Sequence, residues 1–179
     1  PQARTGLLTA AVFQTNTDDE IVPASNTGGR STFRNAGRTR RNGAELEWRY
    51  DFARHARVQL GYSWLDARYR DSVSDVIQAD NRIPGTARHA FYAGLAWQPQ
   101  EGWQAGVDAR YLSKIYANDA NTEAAPSYVV ASASAGYAWR VSAWRIDAYA
   151  RVDNLFDRQY AGSVIVNEGN SRYYEPAPG

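Results

Sequence analysis

The feature that most constrains this chain is a strict alternation of apolar and polar residues, which recurs along most of its length. In one stretch the apolar positions are Trp103, Ala105, Val107, Ala109 and Tyr111, separated by Gln104, Gly106, Asp108 and Arg110. A period of two places successive side chains on opposite faces of a β-strand and does not fit a helix. The same pattern covers residues 44–50, 58–64, 91–97, 129–139 and 144–152, and more weakly residues 6–15. We therefore predict an all-β fold of about seven antiparallel strands of about 10 residues each, arranged as a meander in chain order.

The composition of the two faces of these strands indicates the surroundings of each face. The apolar face is rich in alanine and carries large aromatics at its ends, whereas the other face is polar. Aromatic residues make up 13% of the chain although its mean hydropathy is −0.59. No apolar run approaches the roughly 20 residues of a transmembrane helix. This combination is typical of a transmembrane β-barrel, with lipid outside and water inside.

Charge and chemistry exclude several other classes. The net charge of +1 gives no bulk attraction to nucleic acid, so no nucleic-acid partner is expected. The chain has no cysteine, which excludes disulfides and thiolate metal sites. Its two histidines, His55 and His89, lie far apart, so we predict no metal site and no cofactor.

The connections between the predicted strands alternate in length. The short ones cover residues 51–56, 99–102 and 140–143, and the long polar ones cover residues 18–37, 70–87 and 116–127. Transmembrane barrels have short periplasmic turns and longer extracellular loops. Five of the 6 tryptophans lie near the short turns and are predicted to form an interfacial girdle: Trp48, Trp97, Trp103, Trp139 and Trp144.

The segment DNLFDRQY, residues 153–160, resembles a signature near the C-terminus of TonB-dependent outer-membrane receptors. Its characteristic residues are Asn154, Leu155, Phe156, Asp157 and Tyr160. Weaker resemblances are NAG at 35–37 followed by GAELE at 43–47, and IPGTARH at 83–89, which departs at 86–87, where the family usually has a second proline. The ending RYYEPAPG, residues 172–179, is similar to the segment before the last strand of siderophore-type members. The resemblance covers nearly the whole chain.

The resemblance implies that residues 1–179 are the C-terminal part of a 22-stranded barrel, without the plug, the earlier strands and the last strand. It also implies a Gram-negative outer-membrane location, in contact with lipid and lipopolysaccharide, and no enzyme activity. The implied function is uptake of a ferric siderophore, energised by TonB through an N-terminal region outside this chain. Haem, cobalamin or another scarce solute are alternative substrates. The ferric chelate is cargo, so no cofactor is implied.

Two loop regions are candidate ligand sites. The first carries Arg30, Arg34, Arg38, Arg40 and Arg41, with no acidic residue between Ile21 and Gly43. These guanidinium groups suit an anionic ferric chelate, although contact with lipopolysaccharide phosphates or plain solvation is the more common explanation of such arginines. The second carries Arg172, Tyr173 and Tyr174, which suit an aryl ligand or interfacial anchoring.

Three rival interpretations remain open at this stage. A small outer-membrane barrel enzyme needs a nucleophile or a water-activating set, and only His89 with nearby acids such as Asp80 offers a start. A soluble β-sandwich binding module would bury the apolar face that a barrel turns toward lipid. A passive porin shares the wall but lacks the signature at residues 154–160.

Overall fold

A computed structural model describes residues 4–170 and 172–177, and its regular structure is β throughout this part of the chain. Seven long strands form one antiparallel sheet in the order β1-β4-β5-β6-β7-β10-β11, a simple meander. They are β1 Thr5–Thr17, β4 Thr39–Ala53, β5 Ala56–Tyr69, β6 His89–Trp97, β7 Gly102–Leu112, β10 Tyr128–Val141 and β11 Trp144–Val152. The predicted number and order of strands are therefore confirmed. No helix among the described residues is long and apolar enough to cross a membrane.

Six short strands lie within the long connections and in the segment after β11, and they were not predicted. They form three two-stranded sheets: β2 Ile21–Thr27 with β3 Arg30–Asn35, β8 Ile115–Tyr116 with β9 Ala124–Ala125, and β12 Ala161–Val164 with β13 Tyr174–Pro176. Their sequences are polar or very short and show no apolar alternation. Pairing with a neighbouring segment stabilises them, and the sequence pattern does not reveal such pairing.

The register of the large sheet sorts its side chains into two faces. One row across five strands runs Trp48, Leu60, Ala93, Ala109 and Ala131, each directly opposite the next. Directly opposite residues point to the same side of a sheet. The apolar alternation therefore gives one continuous apolar face, hereafter the outer face.

The adjacent row lies on the other face, hereafter the inner face. It runs Glu47, Gly61, Tyr92, Arg110 and Val130. Large apolar side chains of the outer face stay exposed, such as Val107 at 53% and Leu95 at 48%. No layer formed by residues 4–170 or 172–177 covers the apolar face, and such a sheet has the character of a wall between two solvents.

The five predicted girdle tryptophans all lie on the outer face, toward the end with the short turns. Trp97 is opposite Ala105, Trp103 opposite Tyr137, and Trp144 opposite Val141. Trp103 is 71% exposed and Trp144 is 75% exposed. The arrangement suits an aromatic belt at a membrane interface, and the contact with lipid stays a prediction.

Two neighbouring positions on β5 test the assignment of the faces. Leu60 lies on the outer face, whereas Gln59 lies on the inner face and donates to Glu47 at 3.3 Å. We expect Leu60→Arg to cost about 2–4 kcal/mol and to block assembly, because it places a charge in lipid. Gln59→Arg should assemble normally, because its charge meets water and Glu47. The measurement is the heat-modifiable fraction of the full receptor in outer membranes, and equal assembly of both variants would contradict the assignment.

Candidate functional site

The long connections and the segment after β11 meet at one end of the sheet and form a single assembly. We define loop 1 as residues 18–38, loop 2 as 70–88, loop 3 as 113–127 and loop 4 as 153–170 with 172–177. Backbone hydrogen bonds join loops 1 and 4 from Asn26 N to Asn167 O (3.0 Å), and loops 2 and 3 from Gly85 N to Tyr116 O (2.8 Å). A third joins loops 4 and 3, from Asn167 N to Ala117 O (2.9 Å). Backbone hydrogen bonds therefore connect all four loops to one another.

The carboxylate of Asp119 in loop 3 is the centre of this assembly. It is 1% exposed and accepts hydrogen bonds from Arg34 Nη2 at 2.5 Å, Tyr69 Oη at 2.6 Å and Asn167 Nδ2 at 2.9 Å. Its backbone oxygen accepts from Asn81 Nδ2 at 2.9 Å. Loops 1, 2 and 4 and the end of β5 thus converge on one residue. A buried charge is stable only when it is paired and hydrogen-bonded, and these donors meet that requirement.

A small apolar cluster lies next to the Asp119 network. Leu65 packs against this cluster. The buried members of the cluster come from loops 1 and 2 and from β5, and they are Val22, Ala36, Ala67, Tyr69, Ile77 and Ile83. Ile77 is fully buried, which contributes about 1.5–3 kcal/mol relative to an exposed side chain. The loops consequently have a core of their own at this end of the sheet.

The structure separates the five arginines of the predicted ligand site. Arg34 forms a salt bridge with Asp119. Arg38 forms one with Asp71 at 2.7 Å, and Arg41 forms one with Glu20 at 2.5 Å. Arg40 donates from Nε to Asn16 Oδ1 at 2.9 Å, and Arg30 is exposed beside the turn of the β2–β3 hairpin. Three of these guanidinium groups are thus already engaged by carboxylates from outside residues 21–43. Their role in ligand binding stays a prediction.

Two of these ion pairs lower the pKa of their carboxyl groups. The Arg38 side chain and backbone N–H both donate to Asp71, which lowers the pKa of Asp71 to about 2. The Arg41 guanidinium lowers the pKa of Glu20 most, and the Thr39 hydroxyl, which also donates to Glu20, lowers it further against the effect of burial. Both carboxylates are therefore held in their charged form.

The second predicted ligand region lies beside the tip of the β2–β3 hairpin. Arg172, Tyr173 and Tyr174 line a cleft of about 500 Å³ together with the turn at Gly28 and Gly29. The rings of Tyr173 and Tyr174 are 6.1 Å apart. The two predicted regions thus approach each other here, next to Arg30. The cleft is also lined by the carboxylates of Glu168 and Glu175. Its phenol rings suit an aryl ligand, and its charged groups are of both signs.

The signature segment after β11 forms a turn that depends on Asn154. This residue has a positive φ of 50° and is 8% exposed. Its side chain accepts from Arg158 N at 2.8 Å and donates to Arg158 O at 3.1 Å. Asparagine tolerates the left-handed conformation and closes such turns with its amide, which explains the residue type.

Beyond this turn, the last residue of the signature reaches the inner face. The ring of Tyr160 packs on Tyr128 with centroids 4.4 Å apart. They border a hollow of about 350 Å³, where Arg151 pairs with Asp108 at 2.9 Å and with Asp153 at 2.7 Å. The signature thus fixes loop 4 to β10 beside paired inner-face charges. Across the described residues, no group of three or more potential metal ligands of the His, Cys, Asp or Glu type occurs.

Comparison with known proteins bears directly on this arrangement. A family profile described as "TonB dependent receptor-like, beta-barrel" matches residues 2–155. The chain belongs to this family. Among curated relatives, the catecholate siderophore receptor Fiu of Escherichia coli K12 is 28% identical over 176 residues, which cover 96% of this chain and 22% of that protein. The ferrioxamine receptor of Yersinia enterocolitica is 28% identical over 171 residues, 91% of this chain and 23% of that protein.

A solved structure matches the fold of this family member closely. The crystal structure of the siderophore receptor PiuA from Acinetobacter baumannii superposes with a TM-score of 0.75 at 25% identity, over 96% of this chain and 24% of that one. The chain therefore spans about a quarter of the length of the relatives that it matches. Family membership places it among TonB-dependent receptors and decides against the enzyme, sandwich and porin interpretations.

Sequence analysis missed the residues that organise the loops. Asp119, Tyr69 and Asn167 are single polar residues in regions without a motif, and 85 residues separate Asp119 from Arg34. One signal was available: a tyrosine at the inner-facing end of a strand that enters a long polar loop needs a partner for its hydroxyl when buried. The sequence does not identify that partner.

Asp119→Asn tests the central position of this carboxylate. Asparagine is neutral and has one acceptor oxygen in place of two. It therefore cannot accept from Arg34, Asn167 and Tyr69 as the carboxylate does, and it leaves the Arg34 charge unpaired. We expect a loss of about 3–5 kcal/mol in the stability of the loop assembly. In the full receptor, hydrogen exchange should rise in loops 1, 3 and 4 and stay unchanged in β6 and β7. Asp75→Asn, at an exposed position of loop 2, is the matched control; unchanged exchange in Asp119→Asn would contradict the assignment.

The depressed pKa values predict how acid affects loop 1. Because the folded pKa of Glu20 and of Asp71 lies below the unfolded value, their stabilising contribution is present above about pH 4.5 and is lost as the pH falls through the folded values. We expect faster proteolysis of loop 1 by an acid-active protease at pH 2–3 than at pH 5. Asp71→Asn should abolish the part of this change that depends on Arg38. A loop equally resistant at both pH values would show that these pairs do not anchor it.

Proposed function

We propose that this chain is the C-terminal part of a Gram-negative outer-membrane receptor that imports ferric siderophores with energy from TonB. The observation that carries the proposal is the match along almost the whole chain to receptors named for catecholate siderophores and ferrioxamine. The transported ferric chelate is substrate, and TonB acts through parts of the receptor outside residues 1–179.

The structure supports this proposal through its two faces and its loops. An apolar outer face with tryptophans at one end suits a position across the outer membrane, in contact with lipid and lipopolysaccharide. The inner face carries charges of both signs that hydrate a passage. The loop assembly lies at one end of the sheet. It contains the cleft that Arg172 and Tyr173 line, next to the turn before Arg30.

The residues best placed to meet a ferric chelate are those that keep donors or rings accessible at the cleft. Arg30 and Arg172 are exposed, and Tyr173 and Tyr174 supply adjacent rings. Arg34, Arg38 and Arg41 are each bound to a carboxylate and are less available to a ligand. A ligand with catecholate or carboxylate oxygens complements the first group without breaking the ion pairs of the second.

Uptake of defined substrates tests the proposal. The full receptor is produced in a Gram-negative strain that lacks its own siderophore receptors, and radiolabelled iron is supplied as a tris-catecholate or a trihydroxamate. We expect uptake of at least one of them, and its loss when TonB is removed, because active transport needs that energy source.

Haem and cobalamin, supplied in the same assay, distinguish the alternative substrates within the family. Uptake of haem or cobalamin, with no uptake of either siderophore, would show that the receptor transports that substrate instead. Uptake of a siderophore that persists without TonB would overturn the proposal.

A further inference from the structure

Three arginines lie side by side on the outer face at its loop end. Arg40 is directly opposite Arg68, and Arg68 forms an isolated antiparallel bridge with Arg82 in loop 2. Paired residues point to the same side of a sheet, so all three share the face of Ala44 and Trp64. Arg40, Arg68 and Arg82 are hereafter the arginine row.

The side-chain contacts of the arginine row agree with this placement. Arg40 contacts Asn16, which is its directly opposite neighbour on β1. Arg68 Nε donates to Asp66 Oδ2 at 2.8 Å, and Arg82 Nη2 lies 3.4 Å from Asp66 Oδ1. The carboxylate of Asp66 therefore contacts two of the three guanidinium groups, and Asp80 is a second acid near Arg68. Three arginines with two nearby acids leave the row with an excess of positive charge.

A further arginine increases this excess. Burial lowers the pKa of Arg82, and the neighbouring charge of Arg88 lowers it further. Like charges held this close repel one another, so a bound anion would stabilise the group. The side chains of Arg68 and Arg82 are 34% and 21% exposed, which leaves N–H groups accessible to such an anion.

The distance between the arginine row and the tryptophan girdle, measured along the membrane normal, indicates which anion lies close to the row. Ala56 on β5 is directly opposite Trp97, and Arg68 lies further along the same strand. At about 3.3 Å per residue the separation is about 40 Å along the strand. A strand tilt of about 40° converts this to about 30 Å of height, whereas the apolar band of such barrels is about 25 Å tall. The row therefore lies just beyond the apolar band, level with the headgroups on the loop side.

We propose that the arginine row binds the phosphate groups of lipopolysaccharide in the outer leaflet, with the acyl chains on the apolar surface around Trp64 and Leu46. The proposal rests on the outer-membrane location given under the proposed function. Guanidinium groups bind phosphate in a bidentate manner, and their charge complements that of the lipid. Arg40 thus differs from its chain neighbour Arg41, which lies on the inner face and pairs with Glu20.

Titration of the detergent-purified full receptor with diphosphoryl lipid A, followed by native mass spectrometry, tests the proposal. The double variant Arg40→Gln with Arg82→Gln keeps the Arg68–Asp66 pair and should bind lipid A about 10- to 30-fold more weakly than the wild type. The matched control is Arg54→Gln in the turn at the opposite end of the sheet, which should bind as the wild type does. Equal affinity of the double variant and the wild type would overturn the proposal.

Two further measurements keep the result unambiguous. Arg40→Lys with Arg82→Lys keeps the charges and should retain lipid A binding within about threefold. A loss of about 10-fold or more in this lysine variant would overturn a charge-based site. This result can be read even if the glutamine variant fails to assemble. Inorganic phosphate should not compete at millimolar concentration, and full competition would show a site for free phosphate instead. Lipid A binding is measured without any siderophore, so its failure and a failure of siderophore uptake are separate results.

Discussion

The structure depends on one constraint, which is the pairing of backbone N–H and C=O groups between neighbouring strands where the surroundings offer no other partner. Hydrocarbon cannot satisfy these groups, so a wall that borders lipid has to be a continuous hydrogen-bonded ladder. The seven-stranded meander meets that condition at every internal strand. Because side chains then alternate between faces, one ladder supplies both an apolar outer face and a polar inner face. The tryptophan positions and the arginine row are consequences of the same register.

The polar groups of the loops also need hydrogen-bond partners, and they find them outside the sheet. Asp119 provides them by accepting from Arg34, Tyr69 and Asn167, which bring distant segments together. The desolvation cost of one buried carboxylate is offset by these donors, and the adjacent apolar cluster adds burial. Loops that are fixed to one another lose less conformational freedom on binding a ligand, which favours affinity.

Sequence reasoning succeeded where the signal is local and failed where it is not. A period of two is visible within ten residues, so the seven strands, their order and the unequal connections were predictable. The partner of Arg34 lies 85 residues away and could not be identified from a pattern. The five arginines were grouped because they are close in the chain, yet adjacent strand positions point to opposite faces. Arg40 and Arg41 are therefore separated by the sheet that contains both. The small hairpins of the loops were missed because tertiary pairing, and not apolar alternation, stabilises them.

The central claim, that this sheet separates lipid from water, is tested most directly by spin labelling along β10. The chain contains no cysteine, so single cysteines introduced at residues 129–139 of the full receptor give unique labels once any cysteines elsewhere are replaced. In lipid bilayers we predict that labels at odd positions are accessible to oxygen and shielded from a water-soluble nickel complex. Labels at even positions should show the reverse, with a period of two. Equal accessibility at successive positions, or nickel access at Ala131 and Ala133, would contradict the account.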